Sequence, residues 1–572
     1  MSNLIDTLNT GRQCHAQGDV PKAELLYREV LWADPFNAEA AFLVAVACKD
    51  QGKVMEALAH LHKALGIRPR YVEALNARAL IKVAKGEVTE ALDDLKQALH
   101  FKPDYAEAHH NLGVTLAREK RLDEAIAALR QALRFKPDYA DACLNLARAL
   151  EEQGKMDEAI AAYQKALPLR PQDAATHNAL GLLLAKRGDT DEAAPAFQQA
   201  IKLDPNHAGY RNNLGVALSE LGRPGESLEH FEAAVRLNPD HAEAHKSRAL
   251  TWLHLGDYER GWGEYEWRLK CNDSKPRSFR QPVWGGASLE GKRILLYTEQ
   301  GIGDTFQFIR YAPLLADRGA LVAVECAASL VAILRTCPKI AHVVAHGGPL
   351  PEFECQAPLM SLPRLFETTL ANVPANIPYL SAEPLLVERW RRELGTVKTF
   401  KVGIVWQGNP GNGSDWRRSI PLTSVAPLAR IPGVQLYSLQ KGKGTEQLAD
   451  VIGEMPIIDL GGRLDFGSFM VTAAAMCNLD LIVSCDTSCV HLAGALGRPV
   501  WAALSYASEW RWLQTREDSP WYPTMRIFRQ AKLGDWDGLF ERMAEALHQK
   551  VAVHMPQAIF ADGKDEQKED TK

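Results

Sequence analysis

Up to about Lys292 apolar and small residues recur at helical intervals, whereas beyond it they gather into short apolar runs closed by glycine turns. The first pattern predicts packed helices and the second alternating strands and helices. Within the helical part Pro35, Pro69, Pro103, Pro137, Pro171, Pro205 and Pro239 are spaced 34 residues apart. Gly18, Gly52, Gly86, Gly154, Gly188, Gly222 and Gly256 keep the same period, interrupted only by Lys120. A third series, Ala23, Ala57, Ala91, Ala125, Ala159 and Ala193 with Ser227 next, supplies the small residue that two close-packed helices need. Each unit therefore reads as a helical hairpin: Gly ends its first helix, and Pro, which cannot donate to the preceding turn, follows its second.

Period and pattern together resemble the tetratricopeptide repeat, most plainly at Asn111-Leu112-Gly113, Asp123-Glu124-Ala125 and Lys102-Pro103-Asp104. One hairpin cannot bury both faces of its helices, so about seven stack into an α-solenoid with a continuous core. It is expected over residues 1–270. The resemblance implies a concave groove that binds a protein or peptide. Asn111, Asn145 and Asn213 lie at multiples of 34 and form a candidate ladder for a peptide backbone, against the alternative that Asn is simply a common residue of such repeats; Ala179 breaks the series. His109, His110, His177, His230 and His241 have no metal-ligand spacing and read as surface or groove residues. Trp262, Tyr265 and Trp267, set among Glu259, Glu264 and Glu266, read as the seam to the next domain.

In the second pattern Arg293 to Glu299 reads as a buried strand, Gln300 to Asp304 as a loop, Thr305 to Arg318 as a helix and Leu321 to Cys326 as the next strand. Further strands are expected near Ala341–Val344, Cys355–Met360, Lys401–Trp406, Val434–Ser438, Ile457–Asp459, Leu479–Cys485 and Val500–Leu504. A Pro-bearing connection, Asn372 to Pro384, divides them into two Rossmann-like halves, 271–384 and 385–560, followed by a polar tail, 561–572, expected to be disordered. Two such halves place a cleft between their strand carboxyl ends, where open α/β sheets bind ligands.

The balance of 66 basic against 71 acidic side chains argues against nucleic acid as a partner. Met1 to Val20 has no basic segment leading into an apolar run, and Leu321 to Leu334, the most apolar later stretch, is short and carries Glu325. No transmembrane segment is expected. The ten cysteines form no Cys-x-x-Cys pair or Cys/His cluster, which suits a reducing cytoplasm.

Candidate chemistry lies on three turns. Gln300-Gly301-Ile302-Gly303-Asp304 joins a strand to a helix, where glycines admit a ligand close to the backbone and Asp304 serves as a helix cap, with or without chemistry. Ser484 to Pro499 contains a buried strand ending at Asp486, an Asp486-Thr487-Ser488 turn, and a helix stopped by Gly497. Its backbone N–H groups and hydroxyls suit a diphosphate. Trp406 to Pro410, including Asn409, followed by Asp415 to Ser419 offers Arg418 for bidentate phosphate contacts, the alternative being a solvated surface loop. Gln440 and Lys441 sit at an equivalent strand end, placed to contact base or ribose.

On Gly303-Asp304, Asp486-Thr487 and His491-Leu492-Ala493, the region from about Arg293 to Leu547 resembles the heptosyltransferase-like branch of GT-B glycosyltransferases, glycosyltransferase family 9, in the variant fused behind tetratricopeptide repeats. The resemblance implies inverting transfer from a nucleotide sugar, held mainly by the second half, to a protein or glycoconjugate acceptor recruited by the repeats. It implies Asp304 as general base; Gln300, Gly301, Gly303 and Asn409 are candidate acceptor or loop contacts. Asp486, Thr487 and Ser488 would form the donor turn, and Arg418 would offset charge on the leaving diphosphate. No cofactor or required metal is expected: Asp535-Trp536-Asp537 reads as a helix cap, and His491 as packing. Ser488 stands where many such enzymes have Gly. Glu509 to Trp512 and Ser519 to Pro523 read as interdomain packing, with contact of Arg511 or an aromatic with substrate as the alternative. The rival reading is a non-catalytic repeat scaffold on a retained GT-B fold; a third is a nucleotide-sugar sensor.

Overall fold

The positive-φ turn that lets one helix reverse into the next recurs at the glycines of the 34-residue series, for example Gly86 at φ +84° and Gly188 at φ +106°. Lys120, which replaces glycine once, takes the same left-handed conformation at φ +60°. The computed structural model describes residues 2–272, 277–395, 398–411, 415–464 and 467–554; the expected tail, 561–572, lies outside them. Among the described residues sixteen helices run from Ser2–Ala16 to Tyr258–Tyr265, forming eight hairpins. The Ala of each unit from Ala23 to Ala193 is wholly buried, as is Ser227, whose hydroxyl donates to the Pro224 carbonyl.

The chain divides into two compact units, Met1–Pro205 and Asn206–Lys572. The first holds six hairpins. The second takes the last two together with the α/β region, whereas the sequence pattern draws its boundary near residue 270. Packing explains the difference. Tyr258, Trp262 and Tyr265 belong to one core with both α/β halves, and the Trp262 ring meets Trp510 edge-on at 5.2 Å and Phe308 at 6.1 Å. Trp267 does not join this seam; from the helical turn Glu266–Lys270 its ring stacks on His245 of the last hairpin at 3.8 Å.

Ten strands follow among the described residues: β1 Arg293–Tyr297, β2 Leu321–Cys326, β3 Ile340–Ala345, β4 Cys355–Pro358, β5 Phe400–Val405, β6 Val434–Ser438, β7 Ile457–Asp459, β8 Leu481–Cys485, β9 Val500–Leu504 and β10 Met525–Arg529. They form two parallel sheets, ordered β3-β2-β1-β4 and β10-β9-β8-β5-β6-β7. Read from β7, the second sheet has the doubly wound 3-2-1-4-5-6 order, and the first repeats its opening 3-2-1-4. β8 and β9 are buried at all five positions, as expected of strands covered on both faces.

Two local expectations change. β10 escapes the sequence pattern because this edge strand, Met-Arg-Ile-Phe-Arg, interrupts its apolar run with arginines. The helix expected over Thr305–Arg318 begins three residues earlier and breaks into Ile302–Phe308 and Tyr311–Asp317. Pro313 cannot donate to the Ile309 carbonyl, so a continuous helix fails there. At the break Arg310 turns inward to donate to the Pro374 and Trp521 carbonyls and the Tyr379 hydroxyl, joining the two halves through a buried cation.

Candidate functional site

Strand order decides where a ligand can enter. In the first sheet the direction of winding reverses beside β1, and in the second it reverses between β5 and β8. The segments that leave these strands are Gln300–Asp304 after β1, Trp406–Pro410 after β5, and Asp486–Ser488 after β8. All face one cavity of about 1400 Å³. Gln300, Gly301, Gly303, Asp304, Asn409, Arg418, Gln440, Lys441, Asp486, Thr487 and Ser488 all line it. Lys246, Leu250 and His254 of the last hairpin close one side.

Asp304 is the third residue of the helix Ile302–Phe308 rather than its cap residue, which is Gly301. Its Oδ2 accepts the Gly301 N–H at 3.0 Å, satisfying a donor of the first turn. Its Oδ1 accepts from Arg511 Nη2 at 2.5 Å. Burial raises the Asp304 carboxyl above the ordinary carboxylate range, against the pull of Arg511. The turn is itself braced by the seam: Arg268, 4% exposed, binds Glu299 at 2.6 Å, and the Tyr265 hydroxyl donates to Gln300 at 3.4 Å. Gly303 is needed where it stands, since a Cβ there would lie 2.8 Å from His491 Cδ2.

On the opposite wall Arg418 pairs with Asp415 at 3.0 Å and donates from Nη1 to the Asp486 carbonyl at 3.2 Å. Arg417, its neighbour, instead pairs with Glu220 at 2.6 Å. Asp486 is not a cap residue either; Thr487 holds that position before the helix Ser488–Ala495. The Asp486 Oδ2 accepts the Trp512 indole N–H at 2.9 Å, and burial, with Glu509 adding, pushes its carboxyl up to about 7 although Arg511 and Arg418 oppose this. Thr487 and Ser484 share a hydroxyl hydrogen bond at 3.2 Å. The Gln440 amide is committed to backbone, accepting from the Trp406 and Gln407 N–H groups and donating to the Gln407 and Lys443 carbonyls. His491 is buried beside Trp512 and hydrogen-bonded to the Tyr522 hydroxyl at 3.0 Å; burial holds it neutral.

The repeat asparagines are placed elsewhere. Asn111 donates to Asn76 at 2.8 Å, and Asn145 bonds His110 at 2.9 Å, so these amides link successive hairpins. Asn213 belongs to the second unit and does not line the cavity. Asp535 accepts the Gly538 N–H, as a helix cap does, whereas Asp537 accepts the Ser424 hydroxyl in a tertiary contact. Among the described residues one acidic and thiol cluster, Glu24, Cys48 and Glu56, has metal-ligand spacing, but Glu24 already accepts from Arg28, Lys53 and Gln51.

Arg511, on a segment whose sequence reads as interdomain packing or a substrate contact, lines the same cavity. It joins both walls: besides Asp304 it donates to Gln307 at 2.9 Å and pairs with Glu509. The signal was a lone cation between two tryptophans, since an arginine buried among aromatics must find an acid.

Comparison with known proteins agrees with the fold of the amino-terminal part. Tetratricopeptide repeat family models match residues 16–72, 116–183 and 184–251, and a TPR repeat model matches 79–119. No glycosyltransferase family model matches. Protein FlbA of Caulobacter vibrioides is 30% identical over 331 residues, 53% of this chain and 54% of FlbA. The chain thus spans about half the length of the curated relative it matches. Among solved structures, YrrB, described as a TPR protein with an unusual peptide-binding site, is 25% identical over 33% of this chain and 98% of its own, with a TM-score of 0.32. TTC0263, a thermophilic TPR protein of Thermus thermophilus, is 29% identical over 32% of this chain and 99% of its own, with a TM-score of 0.28. No helix among the described residues is long and apolar enough to cross a membrane.

Proposed function

We propose that the cleft transfers a sugar from a nucleotide-sugar donor to a hydroxyl of a protein or glycoconjugate acceptor recruited by the repeats, without a required metal. The observation that carries this reading is the single cavity at both switch points, with a desolvated carboxylate, Asp304, on one wall and Arg418 beside a helix start on the other. The heptosyltransferase-like resemblance of the same turns supports it.

In this reading the acceptor oxygen gives its proton to the Asp304 carboxylate as it attacks the anomeric carbon. The bond from that carbon to the donor's phosphate oxygen breaks, its electron pair leaving with the nucleoside diphosphate and the carbon's configuration inverting. Arg418, the hydroxyls of Thr487 and Ser488 and the first N–H groups of the helix Ser488–Ala495 offset the charge on the leaving group. Burial makes Asp304 a stronger base than an exposed aspartate.

A ligand that binds only the folded protein raises its melting temperature, so a panel of nucleotide sugars identifies the donor, and transfer is then measured with it. Asp304→Asn should retain donor binding and lose transfer by about a hundredfold or more. Wild-type turnover in that variant would remove Asp304 from the reaction. A second reading, a scaffold without activity, draws on one observation: Asp304 and Arg418 are already paired internally. A folded wild type that no nucleotide sugar stabilises at saturating concentration would favour it.

A further inference from the structure

Asp304 is hydrogen-bonded through both oxygens, to Gly301 N–H and to Arg511, and the guanidinium that holds it belongs to the other half of the α/β region. Arg511 lies on the 505–511 stretch after β9, which lines the cavity. Its side chain is 8% exposed and reaches three partners, Asp304, Gln307 and Glu509. The Asp486 carboxyl, just past the end of β8, also attracts it. Arg511 therefore stands among three carboxyl groups, while Arg418, another cation of the cavity, is bonded to Asp415.

That balance has a consequence for any anionic ligand. A guanidinium binds phosphate oxygens bidentately, in the same fork geometry it offers a carboxylate. A diphosphate in the cavity thus meets a cation already engaged by Asp304. Conversely, an acid paired with arginine is a weaker base than the same acid alone.

Resting on the proposed function, we infer that Arg511 couples donor binding to release of the base: the donor's diphosphate competes with Asp304 for the Arg511 guanidinium, and Asp304 becomes free to take the acceptor's proton once the donor is seated. Donor then binds before acceptor, and the ligand-free enzyme is held inactive by its own ion pair. Arg511 is in this account a donor-contacting residue, distinct in task from Arg418.

The test is calorimetric titration of the full-length protein with ADP, GDP, UDP and CDP. Asp304→Asn keeps the side chain's shape and removes the competing charge, so it should bind the preferred diphosphate about threefold to tenfold more tightly than wild type. Arg511→Met should bind at least tenfold more weakly, and Asp304→Asn/Arg511→Met should match Arg511→Met. The double variant leaves no buried aspartate unpaired at position 304, which keeps the comparison available if the single Arg511 variant fails to fold. Equal affinity of wild type and Asp304→Asn, or double-variant affinity equal to wild type, overturns the coupling and leaves the proposed function standing. Binding of no nucleoside diphosphate by either wild type or Asp304→Asn overturns both.

Discussion

Asp486→Asn isolates the electrostatics of the cleft. Asp486 is 8% exposed, and burial raises its carboxyl from 3.8 to about 7 despite Arg418 and Arg511. Between these values the folded protein keeps a proton that the unfolded chain has lost, so stability falls as pH rises through this window and stays reduced above it. At about 1.36 kcal/mol for each tenfold change in proton affinity, the interval between these values sets a ceiling of about 4 kcal/mol. With an unfolding entropy of about 2.1 cal/mol/K per residue, a unit spanning Asn206–Lys572 moves about 1.3 °C per kcal/mol, or about 5 °C in all. Asparagine does not titrate and keeps an oxygen to accept the Trp512 N–H. Scanning calorimetry of both proteins from pH 5 to 8.5 should show the variant melting higher by several degrees at pH 8, with the gap narrowing toward pH 5. A gap that does not depend on pH, or a variant less stable at pH 8, would mean that Asp486 is held ionised by its arginines and would refute the reasoning.

Three further substitutions probe the fold, two beside the site and one in the repeats. Gly303→Ala puts a Cβ 2.8 Å from the His491 ring, which Tyr522 and Trp512 hold in place, and should cost about 1–3 kcal/mol in denaturant unfolding; unchanged stability would mean the turn yields freely. Trp262→Ala removes the centre of the aromatic seam and should cost about 3–5 kcal/mol by the same assay, with no loss counting against that seam as core. Lys120→Gly relieves a side chain held at φ +60° and should stabilise the chain by about 0.5–1 kcal/mol, because its exposed pair with Glu152 contributes little; a lower melting temperature would show that pair to matter more than the strain.

Hairpins, strands and turns were legible in the sequence because each is a local matter. A 34-residue period, a glycine where φ is positive and an apolar run closed by a turn are written in neighbouring residues, and even Lys120 marks a left-handed turn by its place in the series. Strand ends carrying Asp304, Arg418 and Asp486 could be located the same way, and the structure brings them to one cavity. Their state could not be read so. The pairing of Asp304 with Arg511 joins positions 207 apart and depends on how two sheets meet, and the raised carboxyls depend on burial that neither turn creates alone. Trp267 shows the same limit, since its composition matches the seam while geometry sends it to His245. Local periodicity determined which elements form; long-range packing decided which charges face one another, because hydrophobic burial sets the approach of the halves and the side chains between them take the partners left within reach.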